Sequence, residues 1–198
     1  LRMNAASCLR FSGSAPEAIF AMQDAIADAE KFGFLSNAYA IANEIAFSFL
    51  IQGEAAAAKP WLSKAEALLP LCGDNVDPYI LLEGKSAYCI LTRQDAMARE
   101  FADGLSRSAL RRPRRIREFV RALNWQARVR IGEPGPSGEE LDQLTSDYLE
   151  LRHHLESDFY SLAIIELLKQ AKRTEKAKLL VEEYLSFVRR ELSPVLPP

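Results

Sequence analysis

Residues 41–70 read IANEIAFSFLIQGEAAAAKPWLSKAEALLP. Apolar residues return every three or four positions on both sides of Gln52-Gly53-Glu54, the period of helices and not of strands. A glycine follows the first run and a proline closes the second, which are ordinary helix stops. The segment therefore reads as two helices joined by a joint of a few residues, and so short a joint makes them antiparallel neighbours. Pro60 is the irregular position, because a proline inside a helix removes a backbone hydrogen bond. We expect the second helix to begin late, near residues 57–59, with Pro60 in its first turn.

The same texture extends outward in both directions. Forty residues earlier, Ala5, Ala6, Leu9, Gly13, Ala18, Met22 and Ala25 fill equivalent slots. Later helix pairs fall at about 78–106, 113–151 and 155–191, with Ile164, Ile165, Leu168, Ala177 and Val181 matching in the last. Breakers such as FSGSAPE, LLPLCGDNVDP, LRRPRR and IGEPGPSGEE cut the chain into about ten helices, and nothing of useful length alternates with period two. The expected class is all-α.

Ala42, Ile45, Ala46, Phe49, Gly53, Ala58, Leu62, Ala65 and Pro70 have the spacing of the tetratricopeptide-repeat signature, and the chain resembles that family in a divergent form. The forty-residue period is longer than the family's period of about thirty-four. The resemblance implies a right-handed superhelix of about five antiparallel helix pairs over residues 1–192, with 193–198 (LSPVLPP at its approach) as a tail or linker. It implies that Ala46 and Ala58 sit where two backbones approach closely, with Trp61, Leu62 and Leu68 as buried bulk. It also implies that the first helix of each pair lines a concave face where partners bind. GEAAAAKPWLSKAEALL and AKLLVEEYLSFVRREL are similar to the repeat region of large bacterial ATP-dependent transcription regulators. No GxxxxGK[ST] loop occurs, so a nucleotide-binding module of that kind would lie outside this chain.

The composition suits this reading. Hydrophobic residues make up 48% and charged residues 26% of 198, as in ordinary globular proteins. Cys8, Cys72 and Cys89 form no CxxC, and His153 and His154 are adjacent, so they point about 100° apart on a helix. We read the cysteines as reduced core residues in a cytoplasmic setting, and expect no metal and no cofactor. The longest apolar run, IAFSFLI, is far too short to span a bilayer. Position 1 is leucine in helix-like sequence, and we expect a fragment of a longer protein.

The net charge of −2 hides an uneven distribution. Leu105 to Ile131 holds nine arginines and one glutamate, whereas Gly132 to Asp158 holds eight acids and one arginine. Adjacent segments of opposite sign are expected to neutralise each other in space, which weakens any argument for DNA from the basic run alone. Within it, Pro113 is placed to start a helix. On a wheel from there, Ile116, Phe119, Val120, Leu123, Ala127 and Ile131 form an apolar face. Arg114, Arg117, Arg121 and Arg128 collect opposite, with Trp125 within reach of Arg121 and Arg128. If the repeat resemblance holds, these five residues face the groove, where guanidinium forks bind carboxylates or phosphates and the indole gives an apolar platform. The plainer alternative is a solvated outer face, or a face covered by the acidic helix SGEELDQLTSDYLE.

No nucleophile, base and orienting group can be assembled. Ser137 and Glu140 fit a helix cap, HHLESD reads as a surface joint, and Glu139, Glu140, Asp142, Asp147 and Glu150 read as a solvated face. We expect no catalysis. The favoured function is a helical-repeat interaction or regulatory domain of a bacterial transcription or signalling protein, binding a protein, an acidic peptide or a small effector, with no membrane partner. The alternative is a nucleic-acid-contacting domain that uses the arginine-rich helix 113–131.

Overall fold

A computed structural model of the chain describes residues 15–73, 76–110, 112–151 and 159–192. The first repeat's Ala5, Ala6, Leu9 and Gly13, Cys8, the His153–His154 pair and the 193–198 tail lie outside these residues. Among the described residues the protein is all-α. Its helices are α1 (Ala15–Lys31), α2 (Leu35–Ile51), α3 (Ala55–Leu68), α4 (Tyr79–Leu91), α5 (Asp95–Ala109), α6 (Arg114–Arg130), α7 (Gly138–Leu151), α8 (Phe159–Gln170) and α9 (Thr174–Leu192). They fall into two compact units, the first ending at Thr92 and the second spanning Arg93–Arg189.

In the first unit α2 is the central helix, packed on α1, α3 and α4. Its sequence explains the position. Ala38, Tyr39, Ile41, Ala42, Ile45, Ala46 and Leu50 are all buried, so the apolar surface runs around most of the helix. α3 instead buries a single stripe of Ala58, Leu62, Ala65 and Leu68. Ala46 and Ala58 are both fully buried, and Trp61 packs at the edge of the core. Gly84 marks a close approach of α4, since a Cβ there would stand 2.8 Å from the Leu62 side chain and 3.6 Å from Phe47.

Gly53, at φ +78°, ends α2 in the left-handed region that L-residues avoid. The Glu54 N–H donates to the Phe49 carbonyl and the Gly53 N–H to Leu50, which is the Schellman arrangement. Left-handed residues also stand at Gly33, Gly73, Arg93, Gly132 and Lys172, 20 residues apart as far as Arg93 and 39 and 40 apart beyond it. At Gly132 and Lys172 the same pair of hydrogen bonds is present. The same turn thus ends more than one helix of the chain, at Lys172 without a glycine.

Pro60 departs from expectation. α3 begins at Ala55, not near residues 57–59, and Pro60 lies inside it. The Gly53 turn delivers the chain directly into helix at Ala55, and the hydrogen bond lost at Pro60 is the one to Ala56. Both residues are exposed, so water can serve the freed carbonyl. Pro70 lies as expected beyond α3, in a short 3-10 turn over Leu69–Leu71. In the last pair Ile164, Leu168 and Ala177 are buried, but Val181 is on the surface at 36% exposure. Cys72 and Cys89 are free thiols; Cys89 is buried, and burial pushes its thiol up.

In the second unit α6 is the central helix. It packs on α5, α7 and α8. Phe119, Val120, Ala122, Leu123, Gln126 and Ala127 are buried, a wider face than the wheel suggests because α5 and α8 both press on it. Ile131, which caps the helix, is 40% exposed and is not part of that face. Tyr160 of α8 lies at the centre, 5.7 Å from Phe119 and 5.3 Å edge-on from Tyr148 between ring centroids.

Candidate functional site

α6 begins immediately after Pro113, whose carbonyl accepts the N–H groups of Ile116 and Arg117. It contains no glycine or proline, and Gly132 ends it. Its position between α5, α7 and α8 divides its arginines by environment.

Arg114 is engaged by the following helix. Its guanidinium donates to Asp147 at 2.5 Å and to Glu150 at 3.1 Å, and the hydrogen bond to Asp147 chiefly holds it fully charged. Asp147 is buried, and also accepts from Gln143. This corrects the reading of Asp147 as a solvated residue. A carboxylate one turn from Leu144 and next to Tyr148 enters the core only because Arg114 reaches over to neutralise it.

Arg130 is engaged more deeply. With a side chain only 13% exposed, it donates to Glu166 of α8 at 2.6 and 2.7 Å and stands 3.6 Å from Asp95. Gln126 donates to the same carboxylate at 2.6 Å. Burial alone would raise the Glu166 carboxyl, but the hydrogen bonds from Arg130 and Gln126 outweigh it and hold the group below its usual range.

Arg117, Arg121 and Arg128 are held loosely by comparison. Arg117 is exposed and donates one bond, 3.1 Å, to the Arg112 carbonyl; among the described residues it forms no ion pair. Arg121 stands 3.4 Å from Glu118 and 3.6 Å from Glu140. Both separations exceed the 2.7–2.9 Å or so of a strong charge-assisted bond. Arg128 is 3.8 Å from Glu133, and its guanidinium lies over the Trp125 ring at 5.2 Å. Glu140 has a second role. Its backbone N–H donates to the Ser137 hydroxyl, and its carboxylate accepts the Ser137 N–H, a reciprocal cap on α7. The Ser137 backbone bond is the main reason that its carboxyl is held low, with Arg121 adding to it.

These three arginines and Trp125 border one cavity of about 340 Å³ between α5 and α6. Ala109, Leu110 and Val120 give it apolar walls, Ser106 and Asn124 polar ones, and Glu140 stands at its edge. Asn124 is fixed there by donating to Asp103 and Ser106. Leu110, just past the end of α5, is 75% exposed and lines the same cavity. Of the five residues picked from sequence, Arg117, Arg121, Trp125 and Arg128 come together here, and Arg114 does not line the cavity.

Sequence reasoning missed the Asp95–Arg130–Glu166–Gln126 network. Its one signal was Glu166 itself, a lone carboxylate inside SLAIIELL, where an unpaired charge would be costly. Among the described residues no group of three His, Cys, Asp or Glu side chains could hold a metal ion, and no helix is long and apolar enough to cross a membrane. No family model matches the chain, and neither the curated proteins nor the solved structures yielded a significant match.

Proposed function

We propose that the chain is a helical-repeat interaction domain, built of tetratricopeptide-like helix pairs stacked with a right-handed turn within each unit, and that it binds an acidic segment of a partner protein along α6. In this reading it belongs to a larger cytoplasmic regulator of transcription or signalling, and it contributes recognition, not catalysis. The observation that carries the binding site is the set of loosely held guanidinium groups on Arg117, Arg121 and Arg128, beside Trp125 and on one cavity. Guanidinium groups without strong partners have donors to offer, and the indole and Leu110 give apolar surface for the same ligand. The repeat reading draws support from the regular recurrence of left-handed residues, 20 apart from Gly33 to Arg93 and 39 and 40 apart to Gly132 and Lys172.

Glu118, Glu133 and Glu140 stand among these arginines. Interleaved carboxylates would repel the continuous phosphate backbone of a nucleic acid, whereas a short acidic segment can settle between them. Titration of labelled acidic peptides and of duplex DNA at two salt concentrations tests the reading. Acidic peptide should bind with a salt dependence, and the double variant Arg117→Glu/Arg121→Glu should lose that binding while staying folded. Trp125→Ala should weaken binding with its salt dependence kept. Tighter, steeply salt-dependent binding to DNA would replace this reading with a nucleic-acid one.

A further inference from the structure

Resting on that reading, we infer that the cavity between α5 and α6 recognises an apolar side chain directly adjacent to a carboxylate, so that the bound segment carries a leucine- or phenylalanine-sized residue next to an aspartate or glutamate. Two kinds of lining lead to this. The first is Arg117 and Arg121, one helical turn apart, the first without an ion pair among the described residues and the second 3.4 and 3.6 Å from its acids. A carboxylate placed between them gains charge-assisted bonds that neither arginine now makes at full strength.

The lining also has apolar members. Leu110 is 75% exposed, and with Trp125 it borders a space of about 340 Å³. That is at the small end of ligand cavities, about 300–1,000 Å³, and suits one side chain better than a folded element. An isolated acidic residue would leave Leu110 in water. An isolated apolar residue would lie against guanidinium groups whose donors it cannot use. A ligand that presents both within the span of neighbouring residues satisfies both kinds of lining. Asn124, held by Asp103 and Ser106, adds a polar side chain to the lining.

The test uses two labelled peptides of equal charge and composition on the full chain. One has leucine beside glutamate; in the other a glycine spacer moves the leucine away. The adjacent peptide should bind about tenfold more tightly, the value of one or two buried methylene groups. Leu110→Ser, at an exposed position, should leave the chain folded and bring the adjacent peptide's affinity down to that of the spaced one. Equal binding of the two peptides, or a preference that survives Leu110→Ser, overturns this inference and leaves the acidic-segment reading standing. Binding of neither overturns both.

Discussion

Arg130 and Arg117 are carried by the same helix and share little else. Arg130 is nearly enclosed, with one edge of its guanidinium bonded to Glu166 and another facing Asp95, and so joins α6 to α5 and α8. Arg117 is exposed and donates a single bond to a backbone carbonyl. Arg114 belongs with the first kind, through Asp147 and Glu150, and Arg121 and Arg128 with the second. What separates the two kinds is not the arginine but the acid opposite it. Asp147 and Glu166 meet their arginines at 2.5 and 2.6 Å, whereas Glu118, Glu140 and Glu133 stand 3.4, 3.6 and 3.8 Å from theirs. One helix thus commits some arginines to its neighbours and leaves others loosely held, which the proposed function assigns to recognition.

The largest effect should come from the enclosed pair. Arg130→Ala strands Glu166 in a mostly buried place and should cost about 3 kcal/mol in chemical denaturation. A loss no greater than that of Arg117→Ala would erase the distinction. Ala58→Leu supplies a charge-free reference in the first unit. Overpacking a fully buried alanine there should cost about 1–3 kcal/mol, with no dependence on salt. An unchanged midpoint would mean that α3 has room at Ala58.

Acid should act on the same pair. The Glu166 carboxyl is held below its unfolded range, so its contribution is complete above that range, near pH 4 to 5, and is lost as pH falls through the lower folded value. Asp103, held low by Arg99 and Asn124 against its own burial, shifts the same way. Hydrogen exchange at falling pH should therefore show protection in α5, α6 and α8 declining in this range, and Glu166→Gln should blunt that decline. Arg117→Ala should come last, changing stability by less than about 0.5 kcal/mol.

Much of the fold was legible because helix pairs announce themselves locally. Apolar spacing placed the helices, and Gly53 and Gly132 placed two of the joints. Arg93 and Lys172 take up the same backbone conformation without a glycine, at φ 60° and 58°, so the turn geometry overrides residue preference there. Pro60 shows the same thing in reverse. A good turn fixed the start of α3 and left the proline to fit inside. The site was legible as a face and not as a set of partners. The wheel could gather Arg114, Arg117, Arg121, Trp125 and Arg128, since their positions depend only on helical pitch. It could not distinguish Arg114 from Arg117, because Asp147 and Glu150 lie more than thirty residues away and reach Arg114 only through the packing of α7 on α6.

The division of the arginines can be read directly from the NMR signals of their side-chain Nε–H groups while a peptide with leucine beside glutamate is titrated in. The signals of Arg117, Arg121 and Arg128 should move together along one binding curve, and those of Arg114 and Arg130 should stay in place. Movement of Arg114 or Arg130 on the same curve, or stationary signals from all five arginines at saturating peptide, would contradict the account.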